Sequence, residues 1–368
     1  MLMRFARAQH DGTALGVVRV ALGLLLMSQA LVSARELGAV GYFGDAFHLP
    51  FIPEAWVASG KLYAVIIAAR LISSMLVIIG HRARPALFVS GALLLYVLLC
   101  DRLQFHHNRY SLSLFAMLLS LAPCDRSFSL VTSEDAPRSE ASRVGPFWSV
   151  YLTQIQVAIV YVASGGSKLL DPDWRGGLVL ADRFHRFGAM AIERGVPVSV
   201  MEFLGRPDVG SGLSKLAITT ELLLAVGLFS KRTRAFALWW GVMFHLTIEI
   251  TSKVEIFTWL MLTMYGTFVT PDVRARRLMY DPTRWKGRAF GKTVKLLDWF
   301  QRFEVKAWEP DDLKKSRSFV VIRRDGTRAT GIRGFAMVTR TIPVLFPLWA
   351  PVAFVASFTN GGDTSAGS

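Results

Sequence analysis

The chain has 368 residues, 52% of them hydrophobic, with a mean hydropathy of +0.38. So much apolar surface excludes an ordinary soluble domain and implies a polytopic membrane protein. The net charge of +15 then points to positively charged cytoplasmic loops and to anionic membrane lipid as a partner, with no nucleic acid.

The first 27 residues resemble a signal peptide only loosely. Their polar part is long and holds Asp11, and the apolar run carries Arg19. They read as a retained first span, with cleavage after Ala34 as the other reading. Apolar segments of roughly 16–22 residues, the length that crosses ~30 Å of hydrocarbon, fall near 14–34, 61–80, 84–100, 110–123, 147–165, 213–230, 234–251 and 254–270. The expected fold class is therefore an all-α polytopic membrane protein of about eight transmembrane helices over residues 1–270, followed by a small α/β domain. Arg4 and Arg7, Arg82 and Arg84, Lys231, Arg232 and Arg234, and Arg274, Arg276 and Arg277 fall on one face of that arrangement. By the positive-inside rule this face is cytoplasmic, and so are both termini. The loops 35–60, 101–109 and 166–212 and the tight turn 252–253 fall on the other. Arginine far outnumbers lysine, as in GC-rich bacteria, so the inner membrane is the expected location.

Arg19, Arg70, Glu221, His245 and Glu249 lie inside the expected spans. Such groups pair or mark function, and Glu221 and Glu249 are possible partners for the two arginines. Cys100 and Cys124 bracket one hairpin of spans, so they sit at opposite faces and cannot form a disulfide. His106, His107, His185 and His245 lack the spacing of a ligand set, and no metal is expected. Residues 124–146, rich in serine, proline and charge, read as a linker.

The stretch YVASGGSKLLDPDW, residues 161–174, closes the fifth span. It sets Lys168 at the extracytoplasmic edge of the hydrocarbon, on the same face as FHHNRY at 105–110. An ammonium there is costly unless it has a partner or loses its proton. Gly165 and Gly166 permit close backbone approach, and Trp174 reads as an interfacial anchor. Lys168 is either a snorkelling side chain or a base in a half-dry pocket.

After residue 270 the pattern changes. A short strand at 278–280 precedes an amphipathic helix at 290–303, with Val294, Leu297 and Phe300 on one side. A strand at 303–308 follows, then a hairpin of 318–322 and 327–332 about an Asp325-Gly326 turn. This order suggests a thioredoxin-like domain over 271–358. The apolar segment 336–358 is interrupted by Pro343, Pro347 and Pro351. It reads as interfacial helices, with a ninth span as the alternative. Residues 359–368 read as a disordered tail.

Tyr161, Gly165, Lys168, Leu169, Asp173, Trp174 and Gly177 resemble the signature of the vitamin K-dependent γ-carboxylase superfamily. Its bacterial members are the horizontally transferred transmembrane (HTTM) domain proteins. Arg19, the Asn108–Tyr110 segment, Cys124-Asp125-Arg126, Glu221, the 231–234 turn, Phe244-His245 and Phe257 with Met261 are similar to further segments of that family, in order, over about residues 8–270. The resemblance implies a reduced vitamin K or menaquinol as cofactor, with Lys168 as the free amine that deprotonates it. Oxygen and CO₂ chemistry would follow. It also implies His107 or Asn108 as hydrogen-bond partner of the base, His245 as pocket lining, and Tyr110, Gly165 and Trp174 at the cofactor. The gapless register places Asn108 on the family's histidine, and a shift of one residue places His107 there. The lumenal domain that holds the glutamate peptide in the animal enzyme has no counterpart, so quinone chemistry is expected ahead of peptide carboxylation. The alternative function is a non-catalytic module that binds lipid, quinone or a partner protein. A transporter ranks behind both, because no internal repeat is visible.

The segment LMYDPTRWKG, at 278–287, and the hairpin after it resemble a DCC-type thiol-disulfide oxidoreductase domain. Pro282, Arg284 and Gly287 stand where that family has its glycine and two cysteines. Without thiols there is no disulfide exchange, and the expectation is a structural or docking remnant.

Overall fold

The computed structural model describes residues 10–40, 48–130, 144–145, 148–251, 254, 256–269, 276–308, 318–323 and 326–359. Arg4, Arg7, Arg274, residues 131–143 and 146 of the expected linker 124–146, the 252–253 turn, Asp325 and residues 360–368 of the tail lie outside the described residues. The chain falls into two compact units, Met1–Val269 and Thr270–Ser368.

The first unit is helical. A two-residue strand β1 (His10–Asp11) pairs antiparallel with β2 (Val144–Gly145). Asp11 caps helix α1 (Gly12–Val40) by accepting from the backbone N–H of Thr13 at 2.8 Å. Then follow α2 (Gly60–Ile79), α3 (Ala83–Cys100), α4 (His107–Ser120), α5 (Ser149–Leu170), α6 (Pro172–Gly176), α7 (Leu178–Glu193), α8 (Val198–Leu204), α9 (Pro207–Gly227), α10 (Arg234–Thr251) and α11 (Phe257–Tyr265), which continues as a 3₁₀ turn to Phe268. Among the described residues, α1, α2, α3 and α9 are long and apolar enough to cross a membrane.

Helix α2 shows why these residues make a membrane helix. Ser59 caps its start and Gly80, at φ +85°, closes its end by donating to the carbonyls of Leu76 and Val77. Its buried face holds Tyr63, Ile66, Arg70, Ser73 and Ser74 among apolar residues. Its exposed face is Leu62, Val65, Ile72 and Met75. Polar groups point inward and aliphatic ones outward, the reverse of a soluble helix, because the surrounding solvent is hydrocarbon. The main core of this unit is built on Leu15, Leu22, Leu87, Phe115, Val157, Tyr161 and Met261, with smaller clusters about Tyr63 and Ile66 and about Phe184 and Met201.

Several elements depart from expectation. The first span is longer, reaching Val40 rather than 34. The supposed loop 166–212 is largely helical, containing α6, α7, α8 and the first turn of α9. In α7, Ala181, Phe184, Gly188 and Ala191 are buried. They recur at helical period on a helix whose apolar run is interrupted by Asp182, Arg183, His185 and Arg186, a pattern that hydropathy alone does not register. Helix α5 runs on to Leu170, so Lys168 lies in its last turn and not beyond the span.

The second unit is a four-stranded sheet with helices. Its strands are β3 (Arg276–Tyr280), β4 (Phe303–Ala307), β5 (Phe319–Ile322) and β6 (Arg328–Thr330), in the order β4-β3-β5-β6. Strands β3 and β4 are parallel and joined through helix α12 (Trp285–Leu297), while β5 is antiparallel to both β3 and β6. Helix α13 (Gly331–Thr341) packs on the sheet, and Leu278, Val294, Phe303, Val321 and Val338 form the core. The apolar run after 336 breaks at Ile342. A 3₁₀ helix from Pro343 to Leu348 and helix α14 (Trp349–Ser357) follow it, giving an apolar stretch shorter than the four long helices.

Candidate functional site

Helix α5 packs on α9 along a face carrying Val157, Tyr161, Ser164, Gly165 and Lys168. These residues are three or four apart, which puts them on one side of a helix. Gly165 lies close against α9. A Cβ there would sit 3.1 Å from the Leu222 side chain and 3.2 Å from the Glu221 Cβ, whereas one at Gly166 would meet nothing within 4 Å. The close approach brings Lys168 onto Glu221, with Nζ 2.5 Å from Oε1. Nζ also donates to the Ser164 hydroxyl at 3.0 Å, and that hydroxyl donates to the same Glu221 oxygen at 3.1 Å. The Lys168 side chain keeps 18% of its exposure and that of Glu221 only 5%. Pairing is what makes two such groups tolerable inside apolar helices.

The turn after α5 supplies the other wall. Asp171 caps α6 by accepting from the N–H groups of Asp173 and Trp174, with Pro172 at the first helical position. This folds Trp174 back over the lysine, with Nζ 5.0 Å from the ring centroid, a cation–π distance. Lys168 thus points into the protein rather than snorkelling free.

Two turns earlier on α5, the Tyr161 hydroxyl lies 2.7 Å from His245 Nε2 on α10 and 2.5 Å from the Tyr265 hydroxyl on α11. A Cβ at Gly241 would collide with the Tyr265 hydroxyl, so glycine is required there for the cluster to assemble. Phe257 stands edge-on to the histidine at 5.7 Å. Glu221 Oε2 and His245 Nδ1 are buried without a hydrogen-bond partner, so each retains unused capacity in a place that water does not reach.

The other expected residues are placed as follows. Asn108 is buried and donates to the Val254 carbonyl at 2.9 Å, ahead of α11. His107 is exposed, with its ring stacked on His106 at 4.5 Å. Tyr110 is exposed beside Phe105. The hydrogen-bond partners of Lys168 are Glu221 and Ser164, not His107 or Asn108. The arginines also differ from expectation, since neither pairs with Glu221 or Glu249. Arg19 donates to the carbonyls of Val77, Ile78, Ser127 and Phe128, capping the end of α2. Carbonyls left over at a helix C-terminus carry partial negative charge and suit a guanidinium. Arg70 donates to the Ser33 hydroxyl. Ser164 and Tyr265 were not singled out from the sequence. Ser164 could have been, because it lies one turn before Lys168. Tyr265 carries no comparable signal.

An ion pair and a tyrosine–histidine cluster enclosed by apolar helices with lipophilic outer faces define a polytopic helical membrane protein with a polar centre. The chain belongs to the HTTM domain family, whose model matches residues 8–273. Searches of curated proteins and of solved structures returned no match.

Proposed function

We propose that this HTTM protein is a quinol-dependent membrane enzyme of the γ-carboxylase-like superfamily, with Lys168 as its base and Glu221 as the group that frees it. The observation that carries this reading is the 2.5 Å contact between Nζ and Oε1, next to buried polar atoms that have no partner. A proton passing from Nζ to Oε1 leaves a neutral amine and a neutral acid. An apolar site favours that neutral form far more than water does. The Ser164 hydroxyl, bonded to both groups, holds them in register for the transfer. The Trp174 ring steadies the ammonium once Nζ has taken up a proton.

The residues fit a quinol. Glu221 Oε2 and His245 Nδ1 offer two buried hydrogen-bonding atoms, and Trp174 offers an aromatic surface. A reduced vitamin K or menaquinol supplies an acidic ring hydroxyl and, with oxygen, the oxidative chemistry. Tyr161 and Tyr265 orient His245. Gly165 allows the helix approach on which the pair depends. Asn108, by fixing the Val254 carbonyl, supports the start of α11. His107 and Tyr110 belong in this reading to the entrance.

In the same reading α4, α5, α10 and α11 with its 3₁₀ extension complete eight crossings of an inner membrane, with both termini cytoplasmic. The inward polar groups Thr153, Gln154 and Lys168 account for the lower hydropathy of α5. The strand order β4-β3-β5-β6 supports a thioredoxin-like second unit, which lacks thiols and serves for docking.

Purified protein given reduced menaquinone and oxygen is the test, with quinone epoxide measured. Wild type forms epoxide, while Lys168→Ala and Glu221→Gln do not, each checked for a monodisperse elution profile. No epoxide from wild type would sink the oxygenation reading for that quinone. Equal epoxide from wild type and Lys168→Ala would sink the role of the lysine.

A further inference from the structure

The second unit contains an arginine-lined cleft that the chemistry at Lys168 does not use. It lies between α13 and α14 and has an open volume of about 350 Å³. Arg333, Ala336, Met337 and Arg340 of α13 recur at i, i+3, i+4 and i+7 along one wall, and Arg323, after β5, closes the end. Trp349, Ala353 and Ala356 of α14 form the facing wall. The Arg340 guanidinium carbon lies 5.2 Å from the centroid of the Trp349 ring, a cation–π distance. Arg333 also donates to the Thr359 carbonyl at 2.8 Å, and Arg323 to the Met337 sulfur at 3.4 Å.

The outer face of α14 is equally distinctive. Phe354 is 68% exposed and Phe358 73%, with their rings packed edge to face, and Leu348 and Val355 are also exposed. Arginines on one side of a short helix and bare aromatic side chains on the other match the two halves of a lipid at a membrane surface. Planar guanidinium forks suit phosphate oxygens.

We propose that this cleft binds the phosphate headgroup of an anionic membrane phospholipid, with Phe354 and Phe358 set among its acyl chains. The cleft is then a lipid sensor or anchor in a chain already tethered to a bilayer.

Hydrogen exchange of peptides covering 331–357 in the full-length, detergent-solubilised protein tests this. The probes are short-chain phosphatidylglycerol, phosphatidylcholine of the same chain length, and inorganic phosphate. Phosphatidylglycerol should protect the segment at about tenfold lower concentration than phosphatidylcholine. The double substitution Arg333→Gln/Arg340→Gln should abolish that preference, while Arg340→Lys, which keeps charge but loses the planar fork, should restore only part of it. Phe354→Ser/Phe358→Ser should weaken both lipids alike. Equal protection by the two lipids would overturn headgroup recognition. Protection by inorganic phosphate equal to that by phosphatidylglycerol, and unaffected by Phe354→Ser/Phe358→Ser, would assign the cleft to a soluble phosphate compound and overturn the lipid.

Discussion

Lys168 on α5 and Glu221 on α9 form an ion pair with 2.5 Å between Nζ and Oε1, and Ser164 bridges the two. Its energetics can be measured. Removing one partner leaves an uncompensated charge among apolar helices, and a cost of about 3 kcal/mol is expected for Lys168→Met or Glu221→Leu. The double variant should regain most of that loss, because no charge is then left alone. Thermal unfolding in a fixed detergent, arranged as a double-mutant cycle, reads the coupling. Additive losses would mean that the two side chains do not interact.

Adjacent glycines should respond differently to one methyl group. At Gly165 the new carbon meets Leu222 and Glu221 at 3.1–3.2 Å, and at Gly166 it meets open space. Gly165→Val is expected to destabilise the protein by about 1–3 kcal/mol through overpacking and to push Lys168 away from Glu221. Gly166→Ala should be neutral or stabilising by up to about 1 kcal/mol, since alanine favours the helix. Similar losses at both positions would contradict this packing of α5 on α9.

Arg19 should not tolerate lysine. Its two terminal nitrogens reach four carbonyls on two separate segments, a task for a planar fork and not for a point charge. Arg19→Lys is expected to keep less than half of the stability that Arg19→Met loses. Hydrogen exchange around Ser127 and Phe128 should rise in both. Full rescue by lysine would mean that charge alone matters there.

Acid should weaken the N-terminal contact. His10 is buried, with its ring 4.9 Å from that of Tyr151. Burial, and after it the Arg234 charge, lowers its pKa from 6.5 to about 4. Above pH 6.5 the ring is neutral whether the chain is folded or not. Between pH 6.5 and 4 only the unfolded chain takes up the proton, so stability falls as pH falls. The midpoint of thermal unfolding should drop more steeply over that window in wild type than in His10→Gln. Parallel curves would remove His10 from the account.

The membrane character was legible in the sequence because it rests on composition and on runs of apolar residues. Some segment positions were also legible, as with Arg234–Thr251 for the expected 234–251, whereas α1 runs six residues past its expected end and α9 begins six residues early. The Tyr161–Trp174 stretch drew attention because one amine there sits at the edge of an apolar run. The helices within 166–212 were missed because charged residues break their apolar runs into short pieces, as Asp182, Arg183 and Arg186 do in α7. The small sheet was readable from its strand–helix–strand–hairpin order and its glycine turn.

By itself the sequence determined that this protein lives in a membrane, that charge inside its helices needs an explanation, and that Lys168 is the charge to watch. It could not assign partners. Glu221 follows Lys168 by 53 residues, and a carboxylate anywhere in the bundle served equally well on paper for Lys168, Arg19 or Arg70. Only the packing of α5 against α9 at Gly165 decided the matter. The packing of α1 against α2 gave Arg19 the carbonyls at the end of α2 instead. Pairing inside a membrane depends on which helix faces come within hydrogen-bond reach, and that is a property of the assembled fold, not of any one helix.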